Sequence, residues 1–416
     1  MTNSKRHHIC ALGLALLGAF LLAPAPAAAQ TWVQVGTGGL ALAGVKEPHE
    51  IAAYDDDPPR TDYGSVGALA VFKGELYAAG HFDTAGGKRA ANIARWNGKR
   101  WAPLGEGIVD GGVSQLLVHE GALFAAGSWK TAGGKKIQGL ARWDGVAWSA
   151  VGTGLDGAVS AMTIHEGALV VVGSFQHAGG VAAKNVARWD GKVWSALGEL
   201  PNAPYAIGVH AGTLYSGGTF IDAGKPELAN FYKWDGRAWQ GVASFSGAVT
   251  GMVSDGDRLY TWGSYRDVRV VRAPRAAKGK AAKELDTGAI AQWDGKAWSS
   301  VGGGLVWPQG RSRAHVAVLA MVDGALHAAG DLGRVGDVDH VGVARWDGKM
   351  WAPIGSGLAG EVGALAIYEG ALYAGGDFDV ASADPLKPSA PHGNVARLLV
   401  PAAPPSLNLH PSPLPR

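Results

Sequence analysis

Along most of the chain the apolar positions fall in short runs bounded by glycine, not at helical spacing, and the runs repeat. Residues 185–194, Asn-Val-Ala-Arg-Trp-Asp-Gly-Lys-Val-Trp, carry the pattern in its most compact form. Val186, Ala187 and Trp189 suit a half-buried strand, Trp194 begins the return strand, and Asp190-Gly191 predicts a tight turn with positive φ angles between them. Copies stand at 93–101, 140–148, 231–239, 290–298 and 343–351. These make six Trp-x4-Trp hairpins whose first tryptophans are 47, 46, 45, 59 and 53 residues apart. A period of this length, built of strands, marks a repeat architecture.

A second hairpin precedes each of these. In 159–175 it reads Val-Ser-Ala-Met-Thr-Ile-His, a Glu-Gly turn, then Ala-Leu-Val-Val-Val-Gly-Ser-Phe. Nearly every position is apolar, which predicts strands covered on both faces, whereas the tryptophan hairpin alternates as strands nearer the outside do. Each unit is thus four antiparallel strands that cannot bury both faces alone, and radial stacking of such units gives a β-propeller. The ends complement each other. Trp32-Val-Gln-Val-Gly-Thr-Gly matches a fourth strand with no strands before it, while 362–378 and Asn394-Val-Ala-Arg-Leu supply three strands and lack the fourth.

The fold predicted is all-β, a seven-bladed β-propeller of four-stranded antiparallel blades. The blades lie at 66–107, 113–154, 159–198, 203–242, 249–304, 316–357 and 362–398 with 32–38. The last is closed by the N-terminal strand, leaving no open edge.

The ends add a compartment. Lys5, Arg6, His7 and His8, the apolar run 9–22 and Ala27-Ala28-Ala29 predict a signal peptide over 1–29, hence a secreted or periplasmic protein. The propeller takes 30–400, and the Pro-rich 401–416 is expected to be a disordered tail. The single cysteine, Cys10, lies in the signal, so the body must be stable without a disulfide. No other stretch is long and apolar enough for a membrane span. Taking Lys5 and Arg6 from 37 basic residues leaves 35 against 35 acidic ones, which implies no general attraction to nucleic acid. A monomer is expected.

The Gly doublet closing strand two (Gly375-Gly376, Gly217-Gly218), followed by an aromatic-Asp-turn-Trp hairpin, resembles the kelch repeat of the galactose oxidase-like superfamily. Trp189-Asp190 stands where kelch has Tyr-Asp. The chain is also similar to bacterial exported proteins with Ala-Arg-Trp-Asp-Gly repeats and to the repeats of a fungal cell-polarity cortical marker. The resemblance implies a propeller of a kind that mostly binds partners and is only sometimes an enzyme. The galactose-oxidase chemistry needs a cysteine that 30–416 lacks. The sialidase Ser-x-Asp-x-Gly-x-Thr-Trp order and the repeated Gly-His of WD units are absent too.

Residues demanded in every unit are explained by packing or turns. This covers the tryptophans, the ring of Arg95, Arg142, Arg188, Arg345 and Arg397, and the pre-turn His119, His165 and His210. No catalytic or metal motif is present. What repetition leaves unexplained are four insertions, at 40–65, 265–287, 305–315 and 379–393, each after a second or fourth strand and so all expected at one mouth.

The candidate ligand-binding residues come from them: Asp55, Asp56 and Asp57, Arg266 and Arg269, and Trp307, Arg311, Arg313 and His315, an aromatic with donors suited to a glycan or carboxylate. The Asp run could hold Ca²⁺, though without the alternating oxygens of an EF-hand, and no other cofactor is expected. The reading is a binding or scaffold module for a protein or glycan, with a glycan- or polymer-active enzyme at the same mouth as the alternative.

Overall fold

The computed structural model describes residues 30–36, 40–41, 64–219, 229–270, 285–302, 305, 315–338, 341–356, 358–380 and 394–399. Asp55, Asp56, Asp57, Trp307, Arg311 and Arg313 lie outside them, as do the signal segment and the tail. Among the described residues there is no helix, and the strands form repeated four-stranded antiparallel sheets.

Unit three sets the pattern: Ala158–His165, Ala168–Ser174, Val186–Trp189 and Trp194–Ala196 pair in chain order. In the second strand, Ala168 to Gly173 are all buried, as a run of Leu and Val covered on both faces should be. The first strand is only partly buried. It was expected to be covered on both sides, and it differs because one of its faces looks onto a central channel.

The two hairpin turns exchange the roles expected of them. The tight two-residue turn belongs to the inner hairpin, where Glu166 (φ 49°) and Gly167 (φ 72°) both take positive angles between the paired His165 and Ala168. In the outer hairpin, Trp189 pairs with Trp194 across a four-residue loop in which Gly191 takes positive φ (95°) and Asp190 does not. Asp190 acts through its side chain instead, accepting hydrogen bonds from the N–H groups of Lys192 and Val193, both at 2.9 Å.

One irregularity recurs in the inner strands among the described residues: the register slips by one residue at Gly67, Ser114, Ser160, Tyr205, Thr250, Ala317 and Gly363. Each is a β-bulge, which re-aims a side chain and sharpens the twist. The bulge brings the start of strand one close over the end of strand two. A Cβ on Gly173 would land on the Ala158 carbonyl, on Gly80 on that of Ser65, and on Gly376 on that of Glu361. The same crowding holds at Gly263 and Gly330, whereas at Gly218 the nearest atom would be 3.2 Å away.

The inner strands are Ser65–Phe72, Gly112–His119, Ala158–His165, Pro204–His210, Val249–Ser254, His315–Val322 and Leu358–Tyr368. Each packs against the next, and Leu358–Tyr368 packs against both His315–Val322 and Ser65–Phe72, a propeller-like arrangement. Thr31–Gln34 pairs with Val395–Leu399, so residues from the two ends of the chain share one sheet.

Two features had no counterpart in the sequence reading. In three units the Ala-Gly-Gly loop after strand two is a miniature hairpin, and the crossover from the preceding unit joins it: Leu40–Ala41 onto Thr84–Ala85, and Ile108–Val109 onto Thr131–Ala132. In addition, Asp267–Val270 and Leu285–Asp286, the ends of the 265–287 insertion, extend the preceding unit's sheet to six strands beyond Trp239–Phe245.

Candidate functional site: the mouth of the central channel

Most repeated polar groups are engaged between units. The second tryptophan of a hairpin donates its indole N–H to a main-chain carbonyl of the unit before it: Trp101 to Val35 (3.0 Å), Trp148 to Leu104 (3.3 Å), Trp194 to Val151 (2.9 Å), Trp239 to Leu197 (2.7 Å) and Trp351 to Val301 (3.2 Å). Trp32 continues the series onto Ile354 (3.1 Å). On the face with the tight turns, His119 reaches the Gly167 carbonyl (3.2 Å), His165 that of Gly212 (3.0 Å) and His210 the Ser254 hydroxyl (2.9 Å), while Tyr368 donates to Gly74 (3.3 Å). These histidines are inter-unit ties, a more specific duty than the surface-turn role expected of them. Of the arginine ring, Arg95 forms an ion pair with Glu75 at 2.9 Å.

A buried asparagine before strand three was missed by the sequence reading. Asn92 accepts from the Phe82 N–H and donates to the Ile108 and Gly111 carbonyls. Asn185, Asn230 and Asn394 likewise donate to Leu200, Phe245 and Leu40. Each pins the crossover that leads out of its sheet. The signal was present, since Asn stands in that slot in four copies, but a polar residue next to a Trp hairpin reads as part of a turn.

The other face is where the repeat changes. Strand one begins there and strand two ends there, so the described ends of all four insertions emerge on this side. The bulged residues line a channel of about 350 Å³ that the described inner strands share. Over units one to four it opens into a cavity of about 540 Å³ that shares Gly67, Ser114, Ser160 and Tyr205 with it. Tyr205 is 43% exposed. It occupies a slot held by Gly, Ser, Thr or Ala in the other six units, and aligning the copies on their bulges would have found it.

Opposite lies a charged sector. The position two residues before the bulge is Ser65, Gly112, Ala158, Ala203 or Ala248 in five units but His315 and Glu361 in units six and seven. Their cross-strand partners are Asp331 and Asp377. His315 lies 3.2 Å from Glu361, both half-exposed. The Glu361 carboxylate, with Asp331 nearby, holds the His315 imidazole above its ordinary value against the opposing effect of partial burial. Glu361 directly opposite Asp377 is an unfavourable pairing in a sheet, and a protonated His315 relieves it.

Of the sequence-predicted site residues, His315 belongs to this sector. Arg266 donates from Nε and Nη2 to Asp286 (3.0 and 2.8 Å), tying the two ends of its insertion together at the surface. Arg269 sits on the added strand opposite Ser244. The remaining six are outside the described residues. Among the described residues no group of three His, Cys, Asp or Glu side chains is arranged to hold a metal ion.

No protein-family model matches the chain, and no curated protein matches it. Solved structures do. A computationally designed protein, Ika8, aligns over 87% of this chain and 99% of its own at 13% identity and a TM-score of 0.43. The WD40 β-propeller domain of Doa1 aligns over 82% and 93% at 11% identity and a TM-score of 0.46. The architecture rests on the strand pairings above and not on these likenesses.

Proposed function

We propose that the protein is an exported, monomeric, kelch-like β-propeller of seven blades, closed by its N-terminal strand, that acts as a binding or scaffold module. Its partner, a protein or a glycan, meets the insertion-bearing mouth. The observation that carries this reading is the division of labour between the faces. Recurring Trp, Asn and His side chains tie unit to unit, whereas the start of strand one changes from small residues to His315 and Glu361 within one ring of equivalent positions. Departures from a repeat that the framework does not need are where recognition is expected. Asp55, Asp56, Asp57, Trp307, Arg311 and Arg313 belong to insertions at this same mouth and remain candidates for the contact surface, with Ca²⁺ at the Asp run as a further proposal.

The His315–Glu361 pair supports a second reading, in which an acid and a base at the mouth act on an extracellular glycan or polymer. One preparation beginning at Gln30 separates the two. Binding to immobilised glycans and to cross-linkable extracellular proteins is measured beside release of reducing ends. Saturable binding that weakens about tenfold in Glu361→Gln, with no product released, is expected for a binding module. Product release abolished by the same substitution would replace it with the enzyme, and binding indifferent to every change at the mouth would remove the site.

A further inference from the structure

We infer that the neutral sector of the mouth, over units one to four, is a subsite for an uncharged, hydroxyl-rich ligand, a saccharide chain, with Tyr205 as its stacking platform. This rests on the reading of the mouth as the working face and deepens it.

The described residues lining the wider cavity include no Asp, Glu, Lys or Arg; His81 is the one titratable side chain among them besides Tyr205. An anionic or cationic ligand meets no counter-charge among these described residues, whereas a neutral one needs none.

The polar groups that are present have a definite sense. Ser114 donates its hydroxyl proton to the Ala126 carbonyl (3.1 Å) and Thr250 donates to that of Trp262 (3.4 Å). Both therefore offer acceptor lone pairs to the channel, which suit a ligand that donates. Sugar hydroxyls do, whereas a carboxylate or phosphate oxygen does not. The bulges place Ser114, Ser160 and Tyr205 at the same level in three consecutive units lining this cavity, and Thr250 continues the series along the channel in unit five. Tyr205 is partly exposed and lines both the channel and the wider cavity, and an aromatic side chain at such a place suits the apolar face of a pyranose. Further in, the channel wall becomes apolar at Leu116, Ile207 and Met252, which favours a ligand lying across the mouth with one residue dipping inward.

The test uses protein beginning at Gln30 and calorimetric titration with cellohexaose, maltohexaose and chitohexaose, with a hexamer of galacturonic acid as the anionic control. At least one neutral hexamer should bind and the anionic one should not. Tyr205→Ala should weaken binding about tenfold or more, and Tyr205→Phe should keep it within about threefold because the ring is retained. Tyr205 is half-exposed at a bulge, and an unchanged melting curve shows that the variant folds. Neutral hexamers that fail to bind, or that bind Tyr205→Ala as well as the native protein, overturn the saccharide assignment. If in that case a partner still binds and is lost with Glu361→Gln, the mouth remains a binding face for something other than a neutral sugar. If nothing binds that responds to either change, both readings fall.

Discussion

At the scale of single residues, the recurring tryptophan combines a packing role with a directional one. Trp101 is buried and donates to the Val35 carbonyl, so Trp101→Phe keeps most of the apolar contact and leaves that carbonyl unpaired. The expected loss is about 1–3 kcal/mol, seen as a lower urea midpoint at unchanged slope. Proton linkage gives a second expectation. His327 is buried, and burial depresses its imidazole below the ordinary value. As pH falls from about 6.5 toward that lowered value, the unfolded chain takes a proton that the fold refuses, and stability is lost. The equivalent position is Tyr in units one, four, five and seven (Tyr77, Tyr215, Tyr260, Tyr373). His327→Tyr should therefore flatten the melting temperature between about pH 6.5 and pH 5. An equal decline in both proteins would exclude His327 as its source. His315 carries the opposite sign: with a raised folded value, its contribution is full below the ordinary histidine range and lost as pH rises through the folded value. Its exposure keeps that contribution small.

Between residues and sheets, the elements differ in how much of them the sequence made legible. Strand identity and order were readable, because an apolar run between two Gly turns and a Trp-x4-Trp spacing each have one structural solution. The type of each turn was not. Asp-Gly is a strong signal for a two-residue turn, yet the four residues from Asp190 to Val193 let the carboxylate cap two N–H groups, and this alternative won. Those N–H groups hold the Asp190 carboxyl below its ordinary range, and Asp144, Asp235, Asp294 and Asp347 are held down in the same way. Their contribution is present above the usual carboxylate range and is lost as pH falls through the lowered folded values. Unit one makes the same loop with Asn97, which does not titrate there. Substituting all five aspartates by Asn should leave stability near pH 7 close to native and make the acid limb of a melting-temperature profile shallower. An unchanged acid limb would assign acid sensitivity to other groups.

The bulges were illegible for another reason: a one-residue slip is a property of pairing, invisible in either strand alone. Its trace was the glycine at the end of strand two, which the kelch resemblance recorded without a cause. Gly173→Ala drives a Cβ into the Ala158 carbonyl, and a cost of about 1–3 kcal/mol is expected from the forced shift. Gly180→Ala, where nothing lies within 4 Å but φ is 82°, serves as the control for backbone strain alone. A smaller loss at Gly173 than at Gly180 would mean that the bulge relaxes. The candidate site shared this limit. His315 could be picked out because it lies in an insertion, whereas Tyr205, Asp331 and Glu361 stand inside regular strands and become visible only once equivalent positions are superposed.

For the molecule as a whole, the decisive contacts join residues separated by nearly its full length. Thr31–Gln34 covers the edge of Val395–Leu399, the Val35 N–H donates to Val395, and Trp32, with 1% of its surface exposed, fills the space between the last sheet and unit six. If this strand is what closes the ring, removing residues 30–38 does more than shorten the chain. It uncovers a sheet edge, takes the acceptor from Trp101 and empties the Trp32 pocket, which alone is worth about 3–5 kcal/mol by analogy with Trp→Ala changes in cores. The truncated protein should melt at lower temperature and self-associate with rising concentration through the open edge, as light scattering behind size exclusion would record. A synthetic peptide spanning 30–38, added in trans, should reverse both effects, because the vacated edge has the register to accept it. Truncation that left melting and mass unchanged would show that the chain ends do not hold the ring together, and the mouth would then lose the rigid frame on which its recognition role depends.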